Sequence, residues 1–135
     1  MLIGKEGVTL MTEEEFKEIL DKEETDTVEF KSWLNARNMK EIISIAVDEL
    51  IAFANTKGGT VYFGVEDKPI EVTGCDRNYD GQRIIEGIYD RTVPPLFTEI
   101  LETSFLFKTI LIYLKASTLF SNIFLSEQGS FLELL

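Results

Sequence analysis

The side chains available for chemistry are carboxylates, lysines, arginines and hydroxyls, because the chain has no histidine and a single cysteine, Cys75. Ser-His-Asp and Cys-His catalysis are excluded, as are imidazole zinc sites and histidine pH switches. A lone thiol forms no intrachain disulfide, and Cys75 reads as a buried spectator. Two short segments gather the most suggestive groups. In Thr27–Trp33 the residues alternate, so Val28 and Phe30 share one face while Glu29 and Lys31 share the other. Asn55, Thr56, Lys57, Gly58 and Gly59 form a polar turn. Such a turn can cradle a phosphate with backbone N–H groups. Its plainer reading is a helix C-cap, which Gly58 supplies. No Gly-x-x-x-x-Gly-Lys-[Ser/Thr] run is present, so nothing marks an ATP site.

These groups need elements to hold them. Thr12-Glu13-Glu14-Glu15 fits a capping box and opens a short helix from Glu13 to about Asp21, with Phe16, Ile19 and Leu20 as its apolar stripe. Met39, Ile42, Ile43, Ala46, Val47, Leu50, Phe53 and Ala54 recur at helical spacing and predict a helix from Met39 to Asn55. Thr60–Glu66 is rich in β-branched and aromatic residues and reads as a central strand, with Gly64 allowing close backbone approach. Asp67-Lys68-Pro69 is a turn, from which Ile70–Thr73 pairs back. Tyr79–Thr92 reads as a helix with Ile84, Ile85 and Ile88 inward, ended by Val93-Pro94-Pro95. Thr98–Phe105 and Thr109–Leu114 read as two further strands. The apolar residues after Ala116 follow no single period.

At 135 residues the chain is the size of one domain with a sizeable core. Strands and helices in a chain of this size are expected to form one α+β domain. The net charge is −11, which sits awkwardly with phosphate binding by Lys and Arg. Acids outnumber lysines most heavily between Met1 and Lys31, as on a solvated acidic first helix. The most apolar run, Phe105–Leu114, is interrupted by Lys108 and falls short of the roughly 20 residues a membrane span requires. No secretory apolar core follows Met1, so a cytoplasmic location is expected.

Three segments together resemble the Schlafen-like AlbA domain. They are Glu24-Thr-Asp-Thr-Val-Glu29-Phe30-Lys31, the helix end Ala52–Thr56 with Lys57-Gly58-Gly59, and Thr60–Asp67 followed by Val72-Thr73-Gly74. The resemblance covers roughly Glu23–Leu114. It divides the chain into an N-terminal helical extension (1–22), the Schlafen/AlbA-like domain (23–116) and an atypical apolar tail (117–135). The tail reads as the mark of a truncated or frameshifted longer regulator. An apolar tail also favours self-association, so a homodimer is expected.

The resemblance implies an α+β fold with a small mixed β-sheet flanked by helices, and nucleic-acid binding, to DNA or RNA, by a module of a bacterial-type transcriptional regulator. It also implies a second reading, a metal-dependent endoribonuclease in which Glu24, Glu29 and Asp67 are the catalytic and metal-ligating carboxylates. If the strands bearing them are neighbours, the three converge, and oxygen ligands suit Mg²⁺ or Mn²⁺. The plainer alternative is that all three are solvated surface acids. The nucleic-acid contacts are expected from Lys31, Asn55, Thr56, Lys57, Gly58, Gly59 and Arg77. Arg37, Lys40, Arg83 and Arg91 either extend that basic face or are scattered solvating charges. Trp33 either stacks a base or packs in the core. A third reading is a dimerisation module with no nucleic-acid affinity.

Overall fold

The computed structural model describes residues 2–3, 9–76, 78–106, 111–116 and 133–134, with side chains for 11–76, 78–106 and 115. Arg77, the expected turn at Phe107-Lys108 between the last two predicted strands and nearly all of the apolar tail lie outside the described residues. Among the described residues ten short strands and three helices follow in the order β1 (Leu2–Ile3), β2 (Thr9–Leu10), α1 (Glu13–Lys22), β3 (Val28–Lys31), α2 (Met39–Ala54), β4 (Gly59–Phe63), β5 (Val65–Asp67), β6 (Ile70–Val72), α3 (Gly81–Asp90), β7 (Thr92–Val93), β8 (Ile100–Thr103), β9 (Leu111–Ala116) and β10 (Glu133–Leu134). The fold is α+β. Six strands form one mixed sheet in the order β1-β2-β8-β9-β4-β3. Within it β2–β8 and β3–β4 are parallel and the other pairs antiparallel.

Helix α1 begins at the expected capping box. The Thr12 hydroxyl accepts from the Glu15 N–H, and the Glu15 carboxylate accepts from the Thr12 N–H. Helix α2 starts at Asn38, whose side chain accepts from the Glu41 N–H. It ends where Gly58, at φ 82°, turns the chain back and donates to the Phe53 carbonyl at 2.8 Å. A left-handed residue at that point suits glycine. Because β3 and β4 run parallel, they need a crossover, and α2 is that crossover.

The helices cover both faces of the sheet. On one, α2 and α3 bury Ile43, Ala46, Val47, Leu50, Ile84 and Ile88 against Val61 and Phe63. On the other, Phe16 of α1, fully buried, packs with Phe30, Tyr62 and Leu101. Period-two alternation explains the split: Val61 and Phe63 face one helix layer and Tyr62 the other. Trp33 belongs to the first core, edge-on to Phe63 and Tyr79 with ring centroids 6.1 and 6.3 Å away. Glu102 is a charged residue inside the sheet, 2% exposed, and accepts a hydrogen bond from the Tyr79 hydroxyl.

The run Thr60–Glu66 is not one strand. It breaks at Gly64, whose φ of 101° is closed to most side chains. Gly64 donates to the Lys31 carbonyl and accepts from the Thr73 and Gly74 N–H groups, each at 2.9 Å. The chain therefore leaves the main sheet at this corner and continues as the β5–β6 hairpin.

Strand β3 is an edge of the sheet. Two of its residues bond outward to the turn that precedes it. Val28 exchanges hydrogen bonds with Thr25, and the Phe30 N–H donates to the Glu24 carboxylate at 2.9 Å.

Candidate nucleic-acid interface

Parallel pairing aligns Glu29 with Val61 and Lys31 with Phe63, so both strands end at the same side of the sheet. The Gly64 corner then brings β5 beside β3. An open cleft of about 410 Å³ lies here, lined by Phe30, Lys31, Ser32, Asn35, Val65, Glu66, Asp67 and Lys68. Its position follows a general rule: in sheets with parallel strands, ligands bind outside the carboxyl ends. Phe30 and Val65 are buried at its base, whereas Asn35 and Lys68 are exposed.

Asp67 and Glu29 are both near enough to the Glu24 carboxyl to act on it. Partial burial raises the Glu24 carboxyl above the ordinary glutamate range; Asp67 and Glu29 push the same way, and the Phe30 N–H opposes them. The third acid is otherwise engaged. The Lys31 ammonium lies 3.4 Å from Glu29 and 3.2 Å from Glu49 of α2. Burial works to lower the Lys31 ammonium, but Glu49 and Glu29 outweigh it and raise it above its ordinary value. The oxygen donors suit a hard divalent ion in kind. As arranged they do not fit one, because among the described residues no three acids group as metal ligands.

A raised carboxyl has a sign in stability. The folded state holds the Glu24 proton more tightly than the unfolded chain, so this contribution is present below the ordinary value of 4.5. It is lost as pH rises through the raised value. Glu24→Gln keeps an oxygen for the Phe30 N–H and an amide donor for Asp67. Thermal melts should therefore show the variant gaining on the wild type as pH climbs above 4.5 toward neutrality. A pH-independent difference between the two would contradict the raised Glu24 carboxyl.

The residues expected to contact nucleic acid divide between two ends of the β3–β4 pair. Lys31 is at the cleft. Asn55, Thr56, Lys57, Gly58 and Gly59 are at the opposite end, where β4 begins. Lys57 there pairs with Asp26 at 2.7 Å, and the Thr56 hydroxyl caps α2 by donating to the Ala52 carbonyl. Arg37 is held by Glu41 at 2.6 Å. Arg77 lies outside the described residues. Ser32, Asn35, Glu49, Glu66 and Lys68 were not anticipated. The signal that marks four of them is their place just after a strand at the carboxyl end of a parallel pair; Glu49, on α2, carries no such mark.

A family model described as Schlafen, AlbA_2 matches residues 24–120. Among solved structures, the chain is similar to the DIP2311 protein from Corynebacterium diphtheriae, with a TM-score of 0.58 and 23% identity over 70% of this chain. The match covers 18% of that protein, so this chain spans less than a fifth of its length. At that identity the likeness is one of fold. No helix among the described residues is long and apolar enough to cross a membrane.

Proposed function

The chain belongs to the Schlafen AlbA_2 family, and on that premise we propose that it is the nucleic-acid-binding domain of a cytoplasmic transcriptional regulator. The observation that carries this reading is the cleft at the carboxyl ends of β3 and β4, where Lys31 and Lys68 stand among the hydrogen-bonding groups Ser32 and Asn35. Cations supply phosphate attraction, and amide and hydroxyl groups supply contacts to base and sugar. With a net charge of −11, the contact must be focused on few phosphates. Binding should therefore weaken with salt only gently, with a log–log slope of about −1 to −2, against −0.7 to −0.9 per phosphate contacted.

The test is a titration of labelled tRNA and duplex DNA at several salt concentrations, with and without Mn²⁺. Salt-sensitive binding of either supports the reading. Absence of affinity at low salt would sink it and favour a dimerisation module instead. The resemblance carries a second reading, a metal-dependent endoribonuclease using Glu24, Glu29 and Asp67, and the lack of any three-acid group among the described residues weighs against it. That reading expects RNA cleavage that requires Mg²⁺ or Mn²⁺ and disappears in Glu29→Ala. Cleavage retained at full rate by that variant removes it.

A further inference from the structure

We propose that the cleft takes one unpaired nucleotide of a single-stranded chain, not the outer surface of a duplex. This rests on the nucleic-acid-binding reading and names its substrate class. Three features point the same way. First, about 410 Å³ falls in the roughly 300–1,000 Å³ range of small-ligand sites. One base with its sugar and phosphate enters such a space; a double helix does not.

Second, the lining is mixed in charge. Lys31 and Lys68 stand beside Glu66 and Asp67. A duplex turns phosphates outward and keeps its base edges within the grooves. Laid over this cleft, it would bring phosphate against two carboxylates. An unpaired nucleotide carries both kinds of group. Its phosphate suits the lysines, and its exocyclic amino or sugar hydroxyl donors suit the carboxylates. Asn35 offers an amide, which both donates and accepts toward a base edge.

Third, Lys31 is already shared between Glu29 and Glu49, at 3.4 and 3.2 Å. That leaves the cleft with too little uncompensated positive charge to track two phosphate backbones. The net charge of −11 acts against a broad phosphate footprint in the same way.

The experiment uses the full chain and fluorescence anisotropy. The probes are a single-stranded RNA of about 12 nucleotides, the duplex it forms with its complement, and free uridine monophosphate as competitor. The single strand should bind about tenfold or more tighter than the duplex. The double variant Asn35→Ala, Lys68→Ala should lose about tenfold in single-strand affinity. Both side chains are exposed, so the fold is not at stake; an unchanged thermal melt verifies this. Duplex binding equal to or tighter than single-strand binding would overturn the inference while leaving the nucleic-acid reading intact. So would a double variant that binds as the wild type does. Displacement of the strand by an equal concentration of uridine monophosphate would also overturn it, by marking a free-nucleotide site. Failure of every probe to bind would refute the nucleic-acid reading itself.

Discussion

Phe16→Ala is expected to cost about 3–5 kcal/mol of folding stability. Phe16 lies before the segment the family match covers, yet it is fully buried. Its ring sits 5.9 Å from Tyr62 and 5.7 Å from Phe105, and it shares a core with Phe30 and Leu101. Truncation to alanine removes the transfer free energy of the ring and leaves a cavity that rigid strands on one side cannot close. A domain is stable by only about 5–15 kcal/mol, so the loss is a large fraction of the whole. Urea denaturation followed by tryptophan fluorescence measures it, since Trp33 reports from the opposite core. A loss below about 1 kcal/mol would mean that α1 is dispensable and packs only loosely. Phe16→Leu, which keeps most of the volume, should recover much of the difference.

The second large effect belongs to Gly64. Gly64→Ala places a Cβ on backbone at φ 101°, which should cost about 1–3 kcal/mol. The consequence reaches function, because this corner carries β5 from the main sheet to the side of β3. Relaxing the corner shifts Glu66, Asp67 and Lys68 relative to Lys31, Ser32 and Asn35. Gly58→Ala is the informative control. Gly58 also has positive φ, at 82°, but sits at the far end of β4. Both variants should lose stability, and only Gly64→Ala should lose nucleic-acid affinity beyond that explained by unfolding. Equal losses of affinity would contradict the assignment of the cleft as the contact surface.

Much of the fold is readable residue by residue. Helix α2 announces itself because seven buried side chains recur along one stripe between Ile42 and Ala54. The alternation of Val28 and Phe30 with Glu29 and Lys31 gives both the strand and its buried face. Thr12 and Glu15 give the start of α1. What escaped is what depends on direction and on single backbone angles. The apolar run Thr60–Glu66 reads as continuous because hydrophobicity persists through Gly64; only φ at that residue ends β4. Asn55–Gly59 and Lys31 look like parts of one surface because each adjoins the same pair of strands. The parallel sense of β3 and β4 puts them at opposite ends. That Glu49 of α2 also pairs with Lys31 has no signal in the strand's own residues. Glu24 was placed next to Asp67 by the resemblance, while its backbone acceptor role toward Phe30 had no sequence signal.

That role of Glu24 has a consequence for how the molecule behaves in a crowd. The margin of a sheet ordinarily presents a row of unmatched donors and acceptors, which recruits extended chains and seeds fibrils. Along β3 the Phe30 N–H is already taken by the Glu24 carboxylate, and Val28 by Thr25, all within the chain's own preceding turn. An invading strand would have to expel that carboxylate and open the Thr25–Val28 bridge to pair along β3. The segment that borders the cleft thus also guards this one edge of the sheet against strand addition.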